Sequence, residues 1–186
     1  MASRRRASRE ASGTSAPVEL VCLDFDLTLL RVHSFASKIR AEDVREGRRD
    51  AIGDFVDAAF LIEFVETLRA RGVEVKIVSF GVYEVIRAYC DRALGEGKMT
   101  RRDISTPSVV GVKDGCSVDG GKNPQMQRLC EEKYGAEDWR AHAERVVLFD
   151  DDERNVVAAR TAGFRAVHTP AGFTRESASW IFDATE

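Results

Sequence analysis

Two segments of the chain place acids where an apolar run stops. Asp24-Phe25-Asp26-Leu27-Thr28 closes a run that begins at Val18, and Asp150-Asp151-Asp152 follows Arg145 to Phe149. Between them, Ser79-Phe80-Gly81 ends the run Val73 to Val78, and Lys122 stands just before a helix signal at Pro124. A carboxylate at a strand end can act as a nucleophile and form an acyl phosphate, which divides one hard displacement into two easier ones. Asp24 is placed for that role. Asp26 is two residues on and so faces the same side of an extended strand. It can protonate the leaving oxygen and later deprotonate water. Thr28 can hold the turn or hydrogen-bond the carboxylate of the nucleophile. Ser79, with the amides of Phe80 and Gly81 at a helix start, can cradle phosphate oxygens. Lys122 would stabilise both the nucleophile's anion and a transferring phosphoryl group. Acids gathered around a phosphate dianion require a cation. Mg²⁺, which takes oxygen ligands, suits Asp24, Asp151 and the backbone carbonyl of Asp26, with Asp150 adjoining.

The intervening pattern predicts the elements that would carry these groups. A buried strand is expected over 18–25 and a weak helical stretch over 37–46. A helix should follow, capped by Asp54 and stopped by Gly72. A second strand covers 73–78, and a helix runs through Val82, Val85, Ile86, Tyr89, Cys90 and Ala93. A third strand lies within 104–112, short or peripheral because of Pro107. Then come a helix from Pro124 to about Tyr134, a strand over 145–149, a helix over 154–162 and a strand over 164–168. The Gly172-Phe173 segment, Trp139 and Trp180 are expected to pack a last helix onto the core. Strict alternation of strand and helix predicts an α/β fold with a parallel sheet. In such sheets ligands bind beyond the carboxyl ends of the strands, where the acids, Ser79 and Lys122 converge.

Strand-Asp-x-Asp-x-Thr, strand-Ser, Lys before a helix, and strand-Asp-Asp occur in that order over about residues 18 to 170. Together they resemble the four motifs of the haloacid dehalogenase superfamily. The resemblance implies a three-layer Rossmann-like core with strand order 5-4-1-2-3, an aspartyl-phosphate intermediate and Mg²⁺. It maps Asp24 to the nucleophile, Asp26 to the acid/base, Ser79 to the second-motif hydroxyl, Lys122 to the third-motif lysine and Asp151 to the metal-binding acid. Asp150 could share that last role, and Asn155 matches a supporting acid or amide. The third acid, Asp152, leaves the ligand register open by one residue. An acid at the Asp26 position resembles phosphatases and phosphomutases rather than dehalogenases or ion pumps. Mutases usually carry a sizeable helical cap, for which the segment from Leu30 to Gly53 is short. The interval from Ser79 to Lys122 likewise leaves no room for a large second-type cap. A capless or minimally capped phosphatase with an open site, suited to a bulky or protein phosphate, is therefore expected. Arg31, His33, Lys38 and Arg40 could reach substrate from the flap, His33 being nearest the catalytic loop in sequence.

The 186 residues suffice for one domain over 18–186, preceded by a disordered Arg- and Ser-rich tail over 1–17. The net charge of −3 gives no reason to expect nucleic acid or membrane partners. Cys22, Cys90, Cys116 and Cys130 form no C-x-x-C pair, so neither a zinc site nor a disulfide scaffold is expected. The chain reads as cytoplasmic, a monomer or weak oligomer, with organellar targeting by the tail as the alternative. Two other functions compete with hydrolysis: a non-catalytic module that binds phosphorylated ligands, and a phosphotransferase or mutase. Competing local readings also stand. Ser79 could be a plain helix cap, Lys113 could replace Lys122, and the aspartate triplet could be a calcium or capping cluster.

Overall fold

A computed structural model of the chain describes residues 16–110 and 120–185. The run from Val18 condenses into strand β1, Leu20–Leu23, which stops one residue before Asp24. Two short helices follow, α1 (Ala41–Arg45) and α2 (Ala51–Asp54). Helix α3 covers Ala58–Ala70, and β2 covers Glu74–Val78. Helix α4 (Tyr83–Leu94) leads to β3 (Ile104–Ser105) and the short α5 (Pro107–Val110). Helix α6 spans Asn123–Tyr134 and a 3-10 segment spans Trp139–Arg145. Strand β4 (Val146–Asp150), α7 (Glu153–Thr161) and β5 (Arg165–His168) complete the core. Helices α8 (Arg175–Ala178) and α9 (Trp180–Ala184) close the described chain.

The described residues form a five-stranded, all-parallel sheet in the order β3-β2-β1-β4-β5. This is the expected 5-4-1-2-3 order, and the architecture is a Rossmann-like α/β fold. Alternate strand residues serve opposite faces, as the period of two requires. Val21, Leu23, Val147 and Phe149 enter one apolar core with α3 and α4. Leu20, Cys22, Val146 and Leu148 enter a second core with Met126, Val156 and Trp139. Both faces are thus covered, which is the condition a parallel sheet requires. The chain builds outward from β1 through β2 to β3, then returns to the other side of β1 with β4. The crevice at the carboxyl ends of β1 and β4 is therefore the topological switch point, where open α/β sheets bind ligands.

Several expectations need correction. Asp54 does not cap α3; it ends α2, and its carboxylate pairs with Arg49 and accepts from the Tyr89 hydroxyl. Asp57 is the cap, accepting from the Phe60 amide at 2.9 Å. The third strand is short and at the sheet edge, as expected from Pro107: it ends at Ser105, and Pro107 opens a helix. Strand β4 extends one residue further than expected, so Asp150 lies within the sheet. Trp139 does not pack the last helix; it stacks on Phe164 at 5.7 Å on the opposite face. Phe173 does behave as expected, packing against Phe60, Phe64 and Phe149. Most of the basic tail, together with Lys113 and Cys116, lies outside the described residues. Among the described residues, no helix is long and apolar enough to cross a membrane.

Candidate active site

Asp24 leaves β1 with its backbone amide bonded to the Phe149 carbonyl at 2.9 Å, so it stands at the carboxyl end of the sheet beside β4. Asp150 ends β4 directly alongside. Lys122, at the entry to α6, reaches in between: its Nζ donates to Asp24 Oδ1 and, at 2.6 Å, to Asp150 Oδ2. All three side chains are buried. Burial pushes the Asp24 carboxyl up to about 6, against the opposing pull of Lys122. Asp150 is also raised, chiefly by burial and then by the neighbouring Asp24 charge, against Lys122 and Asn155. Burial would lower Lys122, but the two carboxylates outweigh it and hold the ammonium charged.

The aspartate triplet divides its work by position. Asp150 takes Lys122, and both its oxygens accept from Asn155 Nδ2 at 3.1 Å. Asp152 caps α7 and pairs with Arg154, whose side-chain bond lowers its carboxyl; it stands outside the acid cluster. Asp151 joins the cluster. Asp24, Asp150 and Asp151 each offer an oxygen, and these oxygens lie within 4.8 Å of one another. Three carboxylates against one ammonium leave a formal charge of −2 in a largely buried space. That excess and the all-oxygen donor set fit a hard divalent cation.

Thr28 departs from expectation. Fully buried, it does not touch the Asp24 carboxylate or line the cleft. Its hydroxyl donates to Asp151 Oδ1 and accepts from the Asp151 amide, both at 3.0 Å. Thr28 therefore positions the third carboxylate. His168, which carried no sequence signal, meets the same residue: its Nε2 lies 2.9 Å from the Asp151 carbonyl.

Asp26 lies on the same cleft, outside the acid cluster. Ser34 holds both of its oxygens, donating from its amide to Oδ1 at 2.8 Å and from its hydroxyl to Oδ2 at 3.1 Å. His33 Nδ1 lies 3.3 Å from Oδ2. Of the four flap residues considered, His33 alone lines the cleft. Arg31 is spent on the carbonyls of Phe55 and Val56, and Arg40 on Asp43. Sequence reasoning missed Ser34, because an eight-residue separation across an irregular loop leaves no periodic trace.

Ser79 is buried at the end of β2, and its Oγ accepts from the Gly81 amide at 3.0 Å. It is not the cap of α4, whose capping position is Val82. Gln125, one turn into α6 beyond Lys122, donates to the carbonyls of Ser79 and Ser105, each at 3.0 Å. It thereby ties two strand ends to the helix that carries the lysine. Gly121 precedes that lysine with φ +52, and a Cβ there would sit 2.8 Å from Asn155 Oδ1. Asp24, Asp26, Ser79, Phe80, Gly81, Lys122, Asp150 and Asp151 all border one cleft of about 630 Å³. No protein-family model matches the chain, and no curated protein matches it significantly. What fold and site define is a Rossmann-like α/β protein with an acidic cleft at its switch point.

Proposed function

We propose that the chain is a Mg²⁺-dependent phosphate monoester hydrolase of the haloacid dehalogenase type, with Asp24 as nucleophile. The observation that carries this reading is the meeting of Asp24, Asp150 and Asp151 around Lys122, with Asp26 on the same cleft. Asp24, Asp150 and Asp151 would hold the cation, joined by the Asp26 carbonyl. When bound, Mg²⁺ would offset phosphate charge and favour the ionised form of Asp24. Asp24 attacks phosphorus, and the ester oxygen leaves with the proton carried by Asp26. Asp26 then takes a proton from water, whose oxygen attacks the acyl phosphate and releases inorganic phosphate and free Asp24. Lys122 holds the Asp24 oxygen in place, and the Ser79 hydroxyl, which accepts from the Gly81 amide, would donate to a phosphate oxygen.

The segment between β1 and α3 contributes only two short helices, and neither lines the cleft. This supports the capless reading and an open site. Purified protein should hydrolyse members of a broad phosphate monoester panel with Mg²⁺, lose activity with chelator, and lose it in Asp24→Asn. A protein that binds Mg²⁺ and phospho-ligands yet turns over none of the panel would be a binding module instead. Transfer to added alcohols outcompeting hydrolysis would mark a phosphotransferase.

A further inference from the structure

Three exposed large apolar side chains, Leu27, Phe35 and Phe80, line the same cleft as the acid cluster. Phe35 is 73% exposed, Leu27 42% and Phe80 36%, so water bathes them at the mouth of a strongly polar site. Apolar surface gathered at one cleft marks a place where something apolar is covered. Leu27 strengthens the point. It follows Asp26 directly and has φ +61, a left-handed conformation that favours glycine or asparagine. Neither its backbone nor its exposure favours leucine. The Phe80 ring centroid lies 5.4 Å from Lys122 Nζ, at the inner end of the cleft's apolar lining. Phe35 approaches from the flap, two residues beyond His33.

We infer that Leu27, Phe35 and Phe80 form a subsite for a flat apolar group on the alcohol side of the phosphate ester. The substrate class is thus a monoester whose alcohol bears an aromatic ring within a few bonds of phosphorus. Rings favour offset or edge-on packing against Phe35 and Phe80, and Leu27 supplies an aliphatic floor. This inference rests on the hydrolase reading above and adds the leaving group to it.

The test compares 2-phenylethyl phosphate with ethyl phosphate, two primary-alcohol esters of similar leaving ability, under saturating Mg²⁺. The wild type should favour the phenyl ester roughly tenfold or more in kcat/KM, mainly through KM. Phe35→Ser and Leu27→Gly should each bring that ratio towards one. Glycine adopts the left-handed conformation freely, so Leu27→Gly is expected to fold. A wild-type ratio near one, or a ratio untouched by both substitutions, overturns the subsite while leaving the hydrolase reading intact if ethyl phosphate is still cleaved. Failure to cleave either ester overturns the subsite, and turnover of none of the phosphate panel overturns the hydrolase reading as well.

Discussion

Buried beside Asp150 and Asp151, Asp24 has Lys122 and the Phe25 amide to favour its charge, and burial outweighs both. Its carboxyl sits near 6 in the folded chain against an ordinary 3.8. Between those values the folded chain keeps a proton that the unfolded chain releases, so stability falls as pH rises from about 4 to 6 and stays lowered above. Asn cannot ionise and keeps an oxygen for Lys122. Metal-free Asp24→Asn should therefore exceed the wild type in stability at pH 7 and show no gain near pH 3.5. Thermal melts at both pH values check this, and an equal or lower Tm at pH 7 would sink the electrostatic reading. Thr28 acts on the same centre through Asp151. Thr28→Val keeps shape but loses both hydrogen bonds, and calorimetric titration should show Mg²⁺ affinity down roughly tenfold. The residue types at the strand ends were readable because acids after an apolar run are conspicuous. The partner of Thr28 was not, since the contact spans 123 residues and depends on how β1 and β4 adjoin.

The elements that position the site were largely legible where hydrophobic period and length agreed. Strands β1, β2, β4 and β5 and helices α4, α6 and α7 follow the apolar pattern closely. The segment over 31–57 does not, because its order comes from tertiary anchors rather than a periodic face. Arg49, Asp54 and Tyr89 form one hydrogen-bonded group that pins α2 to α4, and Arg31 holds the carbonyls of Phe55 and Val56. That segment delivers Ser34 and His33 to Asp26. A further support is Gly172, with φ +87, whose α-carbon faces Val56 and the Thr28 carbonyl. A Cβ there would lie 2.6 Å from Val56 Cγ2 and 3.1 Å from Thr28 O. Gly172→Ala should cost more than about 2 kcal/mol in urea unfolding, because strain and overlap add. An alanine variant as stable as the wild type would mean that the approach is looser than described.

At the scale of the whole molecule, the sheet order converts separated motifs into one centre. Asp24 and Asp150 end neighbouring strands at the switch point, Ser79 ends the strand on the other side of β1, and Lys122 enters from the helix between. The strand order was legible once the motifs suggested it. The exposed apolar mouth was not, because apolar residues in a loop carry no period and their exposure shows only in three dimensions. The central claim is covalent catalysis at Asp24. It is tested most directly with Asp26→Asn, in which water can no longer be deprotonated and the acyl phosphate should persist. The variant would be turned over with a reactive aryl phosphate and Mg²⁺, quenched in acid and digested for peptide mass analysis. A Mg²⁺-dependent phosphoryl adduct on the Asp24 peptide, absent from Asp24→Asn, is the predicted result. Turnover by the wild type with no adduct in Asp26→Asn, and with activity retained in Asp24→Asn, would contradict it.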